Sequence, residues 1–416
     1  MTGAPRPSSG APCPLNNEMR AAARAVASRL TDKGFTALFA GGCVRDWLLG
    51  HVPDDYDIAT DAVPDRIREI FPSARSVGES FGVMLVRHAR HTFEVATFRK
   101  DGPYHDGRRP SSVEFSDRDA DAARRDFTVN GIFQDPRDDS IIDLWNGRGD
   151  LAARLIRAIG DPHARIAEDR LRMLRAVRFA ARLGFTIEPA TAAAITAHAR
   201  ELASVSAERV GEELRKMLAH PSRADAAHSC ETLGLDRAVF ASAAIVGELT
   251  RLRALAAQSE SMTALAAWWL DRAARGGEES ILQATAHART ALKLSNAETT
   301  LFEATLTARE GICRDFAGYS LAARKRLAAS LGFDAALDIV AAEDVDSADR
   351  WRRMADIELP SRMLPTALVN GESLLREGYR AGPSFKVLLD LAMDAQLERR
   401  IMSEAEGLAL VRQSSK

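Results

Sequence analysis

The hydrophobic pattern of this 416-residue chain changes once, near Asp150, and that change limits what it can fold into. Before it, short apolar runs alternate with turn-forming residues. "FTALFAGG" and "YDIAT" read as strands, "VRDWLLG" and "VPDRIREIF" as helices, "FGVMLVRH" and "TFEVATFRK" as a hairpin, and "SIIDLWNG" as another strand. "DGPYHDGRRPSSVEFS" reads as a long loop, and "DADAARRDFTVNGIF" as a helix running into a strand. After Asp150 the strands vanish. The rest is rich in Ala, Leu, Arg and Glu at helical spacing, broken near Gly160, Gly184, Pro221, Gly276, Gly332, Pro360 and Gly378. No fixed period recurs, which argues against a solenoid. The expected fold is α+β, a small mixed α/β head followed by an elongated all-helical neck, body and tail. The expected boundaries are a flexible tail over 1–15, a head over 16–150, a neck over 151–235, and a body and tail over 236–416.

Composition narrows the function classes. The net charge is −2, so a nucleic-acid partner would need a local basic patch. Cys13, Cys43, Cys230 and Cys313 are widely spaced, which argues against a zinc site or a disulfide framework and suits a reducing cytoplasm. The first residues, rich in Pro, Ser and Gly, have no apolar core and do not read as a signal peptide. No apolar run is long enough to span a bilayer. His88 and His91 flank a hairpin turn, and Trp268 and Trp269 read as helix core.

The chemistry concentrates in "AGGCVRDWLLGHVPDDYDIAT", residues 40–60. On a strand, Asp55 and Asp57 would share one face while Tyr56 and Ile58 face the core. Two crowded carboxylates repel unless a cation lies between them, and hard oxygen ligands suit Mg²⁺. An acidic strand end facing water fits the same three residues. Gly41 and Gly42, between a strand and a helix, allow close backbone approach and leave free N–H groups for a phosphate. Arg45 in the first turn opposes the helix dipole, which an anion held nearby would explain. Together these features favour a nucleotide-plus-Mg²⁺ site.

A second stretch, "EDRLRMLRAVRFAARLGF", carries Asp169, Arg172, Arg175 and Arg178 at intervals of three. On a helix each successive member drifts by about 60°. The arginines therefore interleave with Leu171, Ala176 and Phe179 rather than keeping a solvated face. Arginines among apolar neighbours call for an anionic or planar polar partner, and an aspartate can accept from the exocyclic amino group of cytosine or adenine.

These stretches resemble the polymerase-β-type nucleotidyltransferase superfamily, in its bacterial-type (class II) branch of tRNA CCA-adding enzymes and poly(A) polymerases. The resemblance continues through "FGVMLV…FEVATFRKDGPYHDGRRPSSVEFS" (81–116), "RRDFTVNGIF" (124–133), "DLWNGRGDL" (143–151) and "ERVGEELRKML" (208–218), six motifs in family order over about 38–220. It implies that Asp55 and Asp57 hold Mg²⁺; Glu94, if its strand lies beside theirs, is a candidate third carboxylate that accepts the proton of the attacking hydroxyl or shapes the metal site, and a solvent-facing Glu94 is the open alternative. It implies that Gly41, Gly42, Arg45 and Arg125 seat the triphosphate, with Asp126 holding Arg125 or lying near the metals. An exposed, salt-bridged helix turn fits Arg124 to Asp126 equally well. Asp169 and Arg172 would read the incoming base, and Arg175 and Arg178 would complete the pocket. Asp143, Gly147 and Asp150 would shape a hinge-like turn.

The function so implied is template-independent addition of CCA to the 3′ end of tRNA from CTP and ATP, with Mg²⁺ and release of pyrophosphate. The neck would select the nucleotide and the helical body would hold the acceptor arm. Poly(A) synthesis and A-only addition are the alternatives; a nearly neutral C-terminus and the long loop at 101–116 favour CCA addition. A catalytically dead RNA-binding protein is disfavoured by the intact motifs, and a small-molecule nucleotidyltransferase by the long helical part.

Overall fold

In the computed structural model, which describes residues 14–77, 82–102, 112–240, 246–276 and 279–414, a seven-stranded sheet forms the centre of the N-terminal part. The chain enters through α1 (Pro14–Thr31), β1 (Ala37–Ala40), α2 (Gly42–Leu48), β2 (Asp57–Thr60) and α3 (Pro64–Ile70). It continues through β3 (Arg75–Ser76), β4 (Val83–His88), β5 (His91–Thr97), β6 (Arg99–Asp101), β7 (Val113–Phe115) and α4 (Arg118–Ala123). A 3₁₀ turn (Thr128–Asn130) leads to β8 (Ile132–Gln134), β9 (Ile141–Asp143) and α5 (Gly147–Ala153). Then come β10 (Leu155–Ile156), α6 (Pro162–Glu168), α7 (Arg172–Leu183), β11 (Thr186–Ile187), α8 (Pro189–His198) and α9 (Ala207–Leu218). The main sheet runs β3-β4-β5-β2-β1-β8-β9, antiparallel except where β2 lies parallel to β5.

β1 reads "ALFA" with no polar residue because both its faces are covered. Leu38 and Ala40 join Ala59, Phe98, Ala122 and Phe133 in one cluster. α1 packs on β1, β2, β4 and β5 and buries Ala23, Val26, Ala27 and Leu30 completely. Each large aliphatic side chain removed from water this way contributes about 1.5–3 kcal/mol. The buried sheet holds the end of β1 beside the start of β2, with Ala40 opposite Asp57. The Gly41 turn and the first aspartate of β2 are therefore neighbours.

Four local expectations change. α1 begins at Pro14, just inside the stretch read as a tail; residues 1–13 lie outside the described residues. The strand expected over 92–100 breaks at Phe98, whose N–H donates to the Thr60 carbonyl and whose ring packs edge-on against Phe133. Residues 99–101 then pair with 113–115 in a separate ribbon, so the long loop has ordered roots; residues 103–111 lie outside the described residues. Strands also persist after Asp150, as the two-residue parallel pair β10 and β11. Finally, Asp169 is not on a helix. Its backbone is extended (φ −144°, ψ 103°) between α6 and α7, and its carboxylate accepts from the Leu171 N–H, which starts α7.

The turn at 143–150 is tied down on all sides. Asp143 accepts from the N–H groups of Gly147 and Arg148, and Asp150 accepts from Thr128 Oγ1 and Arg157. A Cβ at Gly147 would lie 2.3 Å from the Thr128 carbonyl oxygen, so glycine serves close packing there.

The chain divides into two units, residues up to 209 with 233–235, and residues 210–232 with 236 onward. The second is helical: α10 (Arg223–Leu233), α11 (Thr250–Ala254), α12 (Ser261–Ala273), α13 (Ile281–Ala291), α14 (Asn296–Asp315), α15 (Leu321–Ala328), α16 (Phe333–Glu343), α17 (Val345–Glu358), α18 (Gly371–Arg376), α19 (Pro383–Leu397) and α20 (Glu404–Ser414). Capping boxes at Ser280 and Ser295 start α13 and α14. Trp268 is fully buried and donates its indole N–H to Glu231, while Phe316, Phe333 and Leu337 centre a second core. The fold class is α+β, as the change of pattern predicts. No helix among the described residues is long and apolar enough to cross a membrane.

Candidate active site

A cavity of about 620 Å³ opens in the N-terminal unit, and eight arginines and seven aspartates line it. Five of those aspartates are taken by arginines. Asp46 is paired with Arg45, Asp54 with Arg182, Asp101 with Arg99, Asp126 with Arg175, and Asp169 with Arg209. The remaining two, Asp55 and Asp57, have no ion pair among the described residues.

Tyr56 and Ile58 are buried, so Asp55 and Asp57 project away from the core. The Asp57 carboxyl is pushed up to about 6, first by burial, then by the charges of Asp55 and Glu94, against the pull of Arg125. Glu94 is exposed on β5, which pairs in parallel with β2 through Ile58 and Val95. It charges the aspartate site from the side and does not line the cavity. Two carboxylates with no ion pair of their own, one of them resisting ionisation despite the pull of Arg125, fit a divalent cation. No set of three metal-ligating side chains is assembled among the described residues, so the remaining ligands would come from phosphate oxygens and water.

Gly41 adopts φ 72°, ψ −128°, a conformation open to glycine, and a Cβ there would lie 3.2 Å from Arg125 Nη1. The turn thus lets the backbone come close to the cavity. Cys43 behind it is buried and its thiol is pushed up to about 12, mainly by burial, so it stays neutral.

The arginines are aimed by acids behind them. Arg45 is 5 % exposed; it bonds Asp46 Oδ1 and, through Nη1, Asn130 Oδ1 at 2.7 Å. Arg124 and Arg125 share Asp121, whose buried carboxylate is held below its usual range because their charges outweigh the effect of burial. Asp126 holds Arg175 through Oδ2 at 2.7 and 2.9 Å, and accepts from Asn130 and the Phe127 N–H through Oδ1. Burial alone would raise Asp126; the Arg175 charge and the bonds from Asn130 and Arg175 bring it down to about 2. The expectation that Asp126 holds Arg125 is therefore corrected: it holds Arg175, and Arg124 to Asp126 are not an exposed turn.

Arg172 donates to Glu168 and to the Arg165 and Arg124 carbonyls, so much of its donor capacity ties α7 to neighbouring segments. Arg178 does not line the cavity; its guanidinium sits over the Phe179 ring, 4.3 Å from the centroid. The same ring carries Arg45 at 5.2 Å and Arg175 at 5.3 Å.

The cavity thus gathers Gly41, Gly42, Arg45, Asp55, Asp57, Arg125, Asp126, Asp169, Arg172 and Arg175. Sequence reasoning does not single out Asn130, Asp121, Phe179 or Arg209. Asn130 and Arg209 lie inside recognised motifs, but pairing across 40 residues, as between Arg209 and Asp169, leaves no local spacing signal.

The poly A polymerase head-domain family matches residues 37–157, and the family described as the probable RNA and SrmB-binding site of polymerase A matches 184–240. A CCA-adding enzyme of Geobacillus thermodenitrificans (strain NG80-2) is 46 % identical over 202 residues, 48 % of this chain and 50 % of that protein. One of Geobacillus stearothermophilus is 43 % identical over 212 residues, 51 % and 52 % of the two. The chain spans about half the length of the curated relatives it matches. The crystal structure of the Bacillus stearothermophilus CCA-adding enzyme in complex with CTP aligns with a TM-score of 0.77 at 31 % identity, covering 95 % of this chain and 97 % of that one. The chain therefore belongs to the nucleotidyltransferase family that carries the poly A polymerase head domain, alongside the bacterial CCA-adding enzymes.

Proposed function

We propose that the protein adds CCA to the 3′ end of tRNA from CTP and ATP without a nucleic-acid template, in the cytoplasm. The observation that carries this reading is the division of labour among the cavity's acids: five aspartates are paired with arginines, and Asp55 and Asp57 are left over for a cation. They would hold Mg²⁺, which when bound offsets triphosphate charge and acidifies the attacking hydroxyl. The Gly41 turn, Arg45, Arg125 and Arg175 bind the triphosphate. The RNA 3′-oxygen forms a bond to the α-phosphorus, the α–β anhydride bond breaks, and pyrophosphate leaves. The hydroxyl proton passes to solvent, and Glu94, exposed on β5, adds negative charge to the aspartate site. Asp169, steadied by Arg209, accepts from the base's exocyclic amino group, and Arg172 keeps that segment in place. The head at 16–150, the neck at 151–235 and the RNA-holding body at 236–416 divide these tasks.

The test uses Mg²⁺ and three tRNA transcripts ending before CCA, after C and after CC, with CTP and ATP supplied separately and together. Stepwise C, C and A followed by a stop is the expected product pattern. A long A ladder would make the protein a poly(A) polymerase, and a single A on the CC end alone would make it an A-adding enzyme. No product from any transcript would remove the transferase reading.

Gly41→Ala forces a strained φ and crowds Arg125. Strain of about 1–3 kcal/mol at this position predicts nucleotide affinity lower by about tenfold or more. Titration calorimetry with CTP measures it, and unchanged affinity would remove the backbone turn from the site.

A further inference from the structure

We infer that Asn130 is a positioning residue that sets the aim of three cavity arginines at once, an inference that rests on the nucleotide-site reading. Its side-chain oxygen accepts from Arg45 Nη1 at 2.7 Å. Its side-chain amide donates to Asp126 Oδ1 at 3.0 Å, and the other oxygen of Asp126 grips Arg175. Its backbone carbonyl accepts from Arg125 Nη1 at 3.3 Å. Arg45, Arg125 and Arg175 come from α2, the segment after α4, and α7; the first two bond this residue directly and the third reaches it through Asp126.

The choice of an amide follows from the partners. A guanidinium can only donate, and an ionised carboxylate can only accept. The group between Arg45 and Asp126 must therefore accept on one side and donate on the other. Those partners also fix which end of the amide is oxygen. A carboxylate here would face Asp126 across 3.0 Å, and an aliphatic residue would leave Arg45 and Asp126 each short of a bond. Asn130 is 7 % exposed, so water does not replace those bonds freely. The 3₁₀ turn over 128–130 supplies the geometry by bringing Asn130 back beside Asp126, with the Asn130 N–H on the Phe127 carbonyl. The other charged groups around the turn are already engaged: Asp46 with Arg45, Asp121 with Arg125, and Asp150 with Thr128 and Arg157.

Three variants test this through equilibrium binding of CTP and ATP and through KM and kcat. Asn130→Ala should weaken CTP and ATP by the same factor, about 10–100-fold, because charge-assisted bonds to a shared phosphate site are lost and base choice is not. In an Arg45→Ala background the same change should cost several-fold less, since one of its two partners is gone; a loss from general loosening would be equal in both backgrounds. Asn130→Asp should be weak at pH 8. Relative to wild type at each pH it should recover several-fold toward pH 5.5, where the new carboxyl carries a proton and again accepts from Arg45 and donates to Asp126. That variant decides the matter if Asn130→Ala does not fold. Equal losses in both backgrounds, or a flat pH ratio for Asn130→Asp, would overturn the inference. Wild-type protein that binds neither CTP nor ATP would instead overturn the nucleotide-site reading itself.

Discussion

Asp57→Asn is expected to abolish transfer and, in the absence of divalent cation, to make the protein more heat-stable. Both effects have one cause. The Asp57 carboxyl rises from the ordinary 3.8 to about 6 because it is buried beside Asp55 and Glu94. A folded-state value above the unfolded one means the folded protein binds this proton more tightly. The stability so gained is present in full below about 3.8 and is lost as pH rises through about 6. At pH 7.5 an ionised Asp57 therefore costs about 3 kcal/mol relative to a group that stays neutral. Asparagine removes that cost. For a domain of this size the melting midpoint should rise by roughly 5–10 °C in EDTA. Mg²⁺ should raise the wild-type midpoint and leave the variant's nearly unmoved, because only the wild type offers both carboxylates. Transfer should fall by about three orders of magnitude or more, as expected when several kcal/mol of charge stabilisation is withdrawn. Calorimetry in EDTA and in Mg²⁺, beside gel assays of transfer, measures all three. An Asp57→Asn protein that melts no higher than wild type in EDTA would mean that the carboxyl is not strained as described.

The legible part of this site was the part encoded by short-range pattern. Asp57 is the first residue of β2 and Asp55 lies two residues ahead of it, just outside the strand, and with Tyr56 and Ile58 buried the two carboxylates fall on the other side, as a period of two suggests. Gly41 follows an apolar strand directly, and its positive φ is what a glycine at that junction signals. The change from alternating to helical pattern marks the α+β division for the same reason. Illegible were the pairings that span the fold. Nothing near Asp126 names Arg175 as its partner, and nothing near Asp169 names Arg209, because tertiary contacts choose among many arginines. The run through Asp169 has helical composition, yet the backbone breaks there. The aspartate side chain offers the Leu171 N–H an acceptor, and Arg209 holds the carboxylate in place. The pair β10 and β11, two residues each, is too short to show a period at all.

Arg175→Ala is expected to cause the largest loss of stability among the cavity variants. Asp126 is buried, and Arg175 meets one of its oxygens with two donors. In the wild type the Asp126 pKa is lowered to about 2, so its pairing contributes stability above the ordinary 3.8 that disappears as pH falls through about 2. Removing Arg175 leaves a buried carboxylate with the Asn130 amide and the Phe127 N–H but no paired guanidinium. Breaking such a pair costs about 3–5 kcal/mol, which should lower the melting midpoint of this unit by roughly 6–20 °C at pH 7.5. The sign of the pH dependence then separates this cause from a simple packing loss. Without Arg175, burial dominates and the Asp126 pKa moves upward, so acidification from pH 7.5 toward pH 5 relieves the variant. The wild type gains nothing from Asp126 over that range. The midpoint gap should therefore shrink on acidification. It should also shrink in Asp126→Asn/Arg175→Ala, where no charge is left to desolvate. Arg175→Lys keeps a charge but not the paired donors, and should fall between. A gap that stays constant from pH 7.5 to pH 5, and is no smaller in the double variant, would mean that Arg175 stabilises this unit by filling space over Phe179 and not by neutralising Asp126.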